Sequence, residues 1–300
     1  MPDSQYVIIT AAHNEAPYIG ATIESVLTQS ALPALWIIAN DRSIDGTADI
    51  VRFHAEAASF IKLIEVHSNC TGRDFASKAN ALNAALRTFS LDRFNFLGIL
   101  DADVSIPSNY YGTLIGRFLS IPSLGLAGGM ILDRRDHRYA PRAFEGIHSV
   151  AGAIQLFRKE CFIQIGQFPP LRHGFEDTVV QIMARMNGWQ TMTFNDLPVL
   201  HHRPTGMGAP GFLRACLDSG RAEYSVGYGM FYSLAKSLRR IFERPPLLGA
   251  TCHLVGYLAS MLTRQRRCVP PDFVRYLRLE QRSRIYDFFT LGHYSKRSRP

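Results

Sequence analysis

The feature that most constrains this chain is a set of short apolar runs that each stop abruptly at a cluster of polar side chains. Tyr6–Ala12 (YVIITAA) runs into His13-Asn14-Glu15, Ala34–Ala39 (ALWIIA) into Asn40-Asp41-Arg42-Ser43, and Phe94–Leu100 (FNFLGIL) into Asp101-Ala102-Asp103. Apolar runs of this length without polar alternation read as strands buried on both faces. Further strands are expected at Phe60–Val66, Leu124–Leu132 and Ala151–Phe157. Helical spacing fills the gaps at Ala16–Gln29, Thr47–Ser59, Asp74–Phe89 (with Asp74 as N-cap) and Asp177–Asn187, the last stopped by Gly188. This alternation predicts an α/β fold: a mostly parallel, twisted sheet with helices on both faces. Ligands of such sheets bind beyond the carboxyl ends of the strands. The three polar clusters are therefore expected to face one crevice.

After Pro210 the pattern turns helical, with helices expected at Gly211–Arg240, Leu247–Thr263 and Asp272–Phe289. The expected division is a catalytic domain over 1–208, with halves meeting near 105, and a basic helical C-terminal extension over 209–300. Charge follows the same division. Of 33 basic and 25 acidic side chains, residues 234–300 hold 14 basic and only 4 acidic ones, leaving the preceding body near neutral. A basic tail suits an anionic surface. Its neutral stretch Leu247–Leu262 is apolar enough to lie in a membrane interface, or to pack on the domain before it. A nucleic-acid partner is not expected, because the basic surplus is confined to the tail and not interleaved with aromatics along a groove.

Other classes are disfavoured by what the chain lacks. No apolar run reaches the ~18 residues of a membrane span. Residues 1–4 carry no export signal, and five scattered cysteines without a C-x-x-C pair fit neither a disulfide framework nor a zinc site. These features suggest a cytoplasmic setting. No glycine-rich fingerprint follows the first strand, no phosphate-binding P-loop is present, and no nucleophile elbow occurs.

Asp101 and Asp103 are the best metal candidates. Two carboxylates at i and i+2 past a buried strand can present oxygen to one hard cation, Mg²⁺ or Mn²⁺, and leave positions open for phosphate; the alternative is a pair of turn-forming aspartates.

The segments VIITAAHNEAPYIGATIESVLTQS, ANDRSIDGTADI, SKANALNAAL, FLGILDADVSIP, AGAIQLFRKECFIQIGQF and HGFEDTVVQIMARMNGW, in this order and spacing, resemble glycosyltransferase family 2, inverting enzymes with the GT-A nucleotide-diphosphosugar transferase fold. The resemblance spans about Tyr6 to Thr205. It implies that the turn Ala12 to Glu15, with Asn14, lines a nucleotide pocket. Asp41 would accept a hydrogen bond from the base, although Asn40 and Arg42 depart from the family's D-D-x-S loop. Lys78 would meet base or phosphate, Asp101 and Ala102 the ribose side, and Asp103 the metal on the diphosphate. Glu176-Asp177 matches the family's E-D pair, with Asp177 as general base and Glu176 beside the acceptor. Asp177 also suits a helix N-cap, and the two roles are compatible. In related folds a late histidine completes the metal shell, which makes His202 a candidate, with a packed or surface histidine as the alternative. Residues 203–210 read as a mobile, glycine-containing loop. Trp189 is expected in the core or on the acceptor side.

Gln181 and Arg185 lack the Q-x-x-R-W spacing of the family's processive synthases, so single-sugar transfer from a nucleotide-diphosphate sugar to a saccharide or lipid-linked acceptor is expected, as in envelope polysaccharide assembly. A lipid-linked acceptor would place the chain on the inner face of the plasma membrane. The alternatives are a non-catalytic nucleotide-sugar-binding homologue and a membrane- or nucleic-acid-binding protein acting through its tail.

Overall fold

The computed structural model describes residues 4–67, 76–135, 138–141, 149–203, 211–239 and 247–297. The expected cap Asp74 and residues 204–210 of the expected loop lie outside them. The chain divides into two compact units, Met1–Leu171 with Glu176–Thr205, and Arg172–Phe175 with Gly206–Pro300.

The first unit is built on a nine-stranded mixed sheet: β1 Tyr6–Ala12, β2 Leu35–Asp41, β3 Ile61–Val66, β4 Phe96–Leu100, β5 Val104–Ser105, β6 Leu124–Arg135, β7 Arg138–Pro141, β8 Ile154–Arg158 and β9 Gln190–His201, in the order β3-β2-β1-β4-β8-β6-β9-β5, with β7 on β6. The expected α/β architecture is present. Strands β3, β2, β1 and β4 are parallel, so the polar clusters after β1, β2 and β4 emerge along one edge. Antiparallel pairing begins where β8 joins β4. Beyond it, β6 and β9 run parallel to each other, and their pairing ends at Asp133 and His201. The short β5, which follows Asp103, pairs antiparallel with the end of β9 and sets Val104 opposite His201. This last pairing brings the two halves of the sheet to one place.

Each strand feeds two cores because successive side chains point to opposite faces. Tyr6 and Ile8 join Trp36, Phe96 and Phe118 on one face, packed by α1 (Ile19–Leu27), α2 (Thr47–Ala57) and α4 (Tyr110–Ser120). Val7 and Ile9 join Leu97, Phe157 and Phe168 on the other, packed by α3 (Ala76–Leu86), α5 (Lys159–Ile165) and α6 (Glu176–Met186).

The second unit holds α7 (Phe212–Val226), α8 (Met230–Arg239), α9 (Leu248–Leu262) and α10 (Pro271–Arg297). The single helix expected over Gly211–Arg240 is two helices. Gly227 takes the left-handed conformation (φ 91°) and caps α7, a conformation that glycine adopts without strain and that ends a helix.

Candidate active site

The loops after β1 and β2 are knitted into one wall. Asn14 sits in the left-handed region (φ 55°); its N–H donates to Ser43 Oγ at 2.9 Å, and its side-chain oxygen accepts the Ile44 N–H at 2.9 Å. The Glu15 and Ala16 amides reach Thr47 Oγ1 (2.8 Å) and Asp45 (3.0 Å). Ala12 is buried beneath this turn. Asp41 ends β2 almost fully buried, accepting from Ser77 Oγ at 2.6 Å and from Arg42 Nε at 3.0 Å. Ser77 and Lys78 are neighbours on the first turn of α3, so this helix touches the β2 loop with one residue and the β4 loop with the next. Lys78 Nζ lies 2.6 Å from Asp101 Oδ1. Burial disfavours its charge, but Asp101 and Glu176 outweigh that and hold it protonated above the ordinary lysine value. Ala102 is buried, and its carbonyl accepts from Thr22 Oγ1 at 2.8 Å, fixing the turn between the two aspartates.

Asp103 faces three groups supplied by the far half of the sheet. His201 Nε2 is 3.4 Å from its Oδ1, Arg203 Nε is 3.5 Å from its Oδ2, and the His202 N–H donates to its backbone carbonyl at 2.9 Å. Burial would raise the Asp103 carboxyl, but His201 and Arg203 hold it below the ordinary value. Behind His201, Nδ1 donates to Asp133 Oδ1 at 2.7 Å. Burial opposes the imidazolium, yet Asp103 and Asp133 lift His201 to about 9. Arg203 also pairs with Glu15 across the rim and lies over the Tyr18 ring at 5.1 Å. Glu15 is pushed up to about 7 by burial, against the pull of Arg203.

The third side of the site is the start of α6. Glu176 is buried, and that burial, with the neighbouring Asp177 charge, raises it to about 7. Asp177 is the second residue of α6 and so is not the N-cap expected of it; its Oδ1 accepts the N–H of the adjacent Thr178 at 2.7 Å. Its other oxygen abuts Gly152, whose carbonyl lies 3.5 Å from Lys78 Nζ. Lys78 is thus the common neighbour of the β4 loop, the stretch before β8, and α6.

One expected metal candidate is placed differently. His202 does not turn its ring to the carboxylates: its nitrogens meet Ser105 Oγ (2.7 Å) and Tyr139 Oη (2.8 Å). The histidine at Asp103 is His201, the last residue of β9, while His202 lies just past the strand. Trp189 takes the core position expected of it as one alternative, packed against the cluster of Val7, Leu97 and Phe157. It follows α6, whose 11 residues carry the chain about 16 Å away from Glu176, and it bonds Gln164 at 2.8 Å. His201, Asp133, Arg203 and Ser77 join the site without having been singled out from the sequence.

Among the described residues, no three His, Cys, Asp or Glu side chains are arranged to enclose an ion. The donors present nevertheless fit a divalent cation. Asp103 and His201 Nε2 stand 3.4 Å apart, near the about 3 Å between adjacent ligands of an octahedral ion. The Asp133–His201 bond is the outer-shell pattern that turns Nε2 toward a metal. A cation held by these two groups would keep its remaining positions for other oxygens, and Asp101 is near enough to His201 to act on its charge.

Acidic groups ringed by fixed cations thus gather beyond the carboxyl ends of the parallel strands. Residues 7–166 match the family described as Glycosyl transferase family 2. The chain belongs to glycosyl transferase family 2. Within the family, it is 27% identical over 176 residues to poly-beta-1,6-N-acetyl-D-glucosamine synthase from strains of Staphylococcus aureus; the match covers 53% of this chain and 40% of that protein, so the chain spans under half the length of these relatives. The fold is also similar to that of the mannosyltransferase PcManGT from Pyrobaculum calidifontis in complex with GDP-Man and Mn²⁺ (TM-score 0.55, 20% identity, 88% of this chain and 76% of that one). S. aureus TarS residues 1–349 in complex with UDP-GlcNAc gives a TM-score of 0.54 at 14% identity, covering 91% of this chain and 78% of that one.

Proposed function

We propose that this protein is a non-processive, inverting glycosyltransferase that moves a sugar from a nucleotide-diphosphate donor to a hydroxyl of a saccharide or lipid-linked acceptor, through the domain at 1–208. The observation that carries this reading is Lys78. Its ammonium bonds Asp101 and feels Glu176, while the residue beside it bonds Asp41. Nucleotide, diphosphate and acceptor groups therefore belong to one rim.

In this reading Asp41 receives the base, with Ala12 and Asn14 shaping the wall behind it, and Asp101 and Ala102 border the ribose. Asp103 and His201 would hold Mg²⁺ or Mn²⁺, which would supply positive charge against that growing on the departing diphosphate. Lys78 and Arg203 add fixed positive charge at the same place. Asp177 takes the proton of the acceptor hydroxyl as its oxygen bonds to the anomeric carbon from the side opposite the diphosphate. As that bond forms, the bond from the anomeric carbon to the diphosphate oxygen breaks, the electron pair leaves with the nucleoside diphosphate, and the configuration inverts. Glu176 sits beside the acceptor. Single-sugar transfer is supported by the occupation of Gln181 and Arg185: Gln181 clamps both backbone groups of Val150 at 2.8 Å, and Arg185 bonds Thr191 at 3.1 Å.

The test is a panel of UDP- and GDP-sugars incubated with Mn²⁺. Metal-dependent release of nucleotide from one donor supports the reading; no turnover with any donor and acceptor mixture counters it.

Contact with an anionic membrane is a second element of the proposal. The exposed residues of α9 include Leu248, Val255, Leu258 and Leu262, those of α8 include Phe231, Leu234 and Leu238, and exposed Arg264, Arg266 and Arg267 follow α9. Exposed apolar faces with basic flanks suit an interface of anionic headgroups, at the inner face of the plasma membrane. Co-sedimentation with vesicles of phosphatidylglycerol at low salt supports this, and no binding removes it.

A further inference from the structure

We infer, on the reading that the helical unit meets an anionic membrane, that Arg267 and Arg278 form a two-arginine site for the phosphate of a lipid headgroup. Both arginines belong to the second unit, as do the residues that place them. The end of α9 brings in the first. Arg264 takes a left-handed backbone (φ 50°). Its N–H reaches the Met261 carbonyl at 3.1 Å, and the Gln265 N–H reaches that of Ser260 at 3.0 Å. In this pattern a left-handed residue stops a helix and turns the chain back. The returning chain is tied down where the Cys268 N–H donates to the Ser225 carbonyl at 2.9 Å. Arg267 is therefore held beside the turn between α7 and α8. Arg278 reaches the same turn from α10, its Nε donating to the Gly227 carbonyl at 3.3 Å. Val274, one helical turn earlier, packs so closely that a Cβ on Gly227 would stand 2.6 Å from it. Tyr257 of α9 completes the group, its hydroxyl donating to the Tyr228 carbonyl at 2.7 Å.

The charge at this turn is one-sided. Burial raises the Tyr257 hydroxyl above its ordinary value, and the nearby charges of Arg278 and Arg267 pull it back. Glu223 also acts on that hydroxyl, but it is buried and answered by Lys236 at 2.7 Å. Both arginines are exposed. Among the described residues, neither has a carboxylate within ion-pair distance. Two guanidinium groups from different segments, set by backbone bonds and not neutralised by an acid, match the oxygens of a phosphate, which guanidinium N–H groups bind in pairs. Two ammonium groups would supply the same charge without that fork. The phosphate is assigned to a lipid because Leu258 and Leu262 stand exposed on the last turns of the same α9. A soluble phosphate ester would leave these apolar side chains in water, whereas an acyl chain below a headgroup covers them.

The experiment is co-sedimentation of the full chain with vesicles of phosphatidylglycerol at low salt. The double variant Arg267→Lys with Arg278→Lys keeps every charge. It is expected to weaken vesicle binding by about tenfold, the scale of one charge-assisted hydrogen bond lost. Diffuse attraction between charges would leave it unchanged. Arg282→Lys, exposed one turn further along α10, is expected to stay within about twofold of wild type, because lysine and arginine contribute alike to surface attraction. Wild-type binding by the double variant, or an equal loss in Arg282→Lys, overturns the inference. Should the double variant fail to fold because Arg278 loses its bond to Gly227, Arg267→Lys alone carries the test, and wild-type binding there overturns it equally. The two claims separate cleanly. If the wild type does not sediment with the vesicles, the membrane reading itself fails. If it sediments and the double variant sediments equally well, only the arginine site fails.

Discussion

Gly152 and Asp177 are packed so closely that a Cβ on Gly152 would stand 2.6 Å from Asp177 Oδ2 and 2.8 Å from Asp177 Cβ. The proposed base thus rests against bare backbone, and no other residue type fits at 152 without moving it. Gly152→Ala should displace Asp177 and lower kcat by roughly 100-fold, the scale of a 1 Å misplacement. Far-UV circular dichroism should be unchanged and donor affinity nearly so. Normal turnover in Gly152→Ala would mean that the Asp177 position is not critical.

Asp133 touches neither substrate nor ion in this account, yet its bond to His201 Nδ1 selects which ring nitrogen faces Asp103. Asp133→Asn should weaken Mn²⁺ binding by about 10- to 100-fold, read by titration calorimetry in the presence of UDP or GDP. His201→Ala should weaken it further, and His202→Ala should leave it close to wild type. An equal loss in His201→Ala and His202→Ala would contradict the assignment.

Glu176 imposes a pH dependence on stability. Its folded value of about 7 lies above its ordinary 4.5, chiefly through burial. Between these values the folded chain binds more protons than the unfolded one, so stability falls as pH rises through that window. Glu176→Gln should therefore melt higher than wild type at pH 8, by about 1–3 kcal/mol of stability, and match it at pH 4. Glu223 behaves oppositely: with a folded value of about 2, it contributes stability that is present above 4.5 and lost as pH falls toward 2. Equal pH slopes for Glu176→Gln and wild type would remove the buried-carboxyl argument.

Much of the rim could be read from the sequence, because parallel strands buried on both faces appear as continuous apolar runs whose ends are marked by the first polar residue. That made Asp41, Asp101 and Asp103 visible, and parallel pairing then placed them on one edge. The choice between His201 and His202 was not visible. It depends on where β9 ends and on the Val104–His201 register, which pairs strands nearly a hundred residues apart. Asp133 was hidden for a similar reason: it is a polar end to a strand whose role depends on a partner in another strand. Trp189 took the core alternative because the length of α6, not nearness in sequence to Asp177, fixes where it lies. The break at Gly227 was legible in principle, as a glycine inside a helical pattern is a stop when its φ is positive.

The most direct test of the central claim is single-turnover transfer by Asp177→Asn alongside calorimetric binding of the same nucleotide sugar with Mn²⁺. The account predicts that donor affinity stays within a few-fold of wild type while transfer falls by about 10²- to 10⁴-fold, the range of one lost general base. Transfer at the wild-type rate in Asp177→Asn would contradict it.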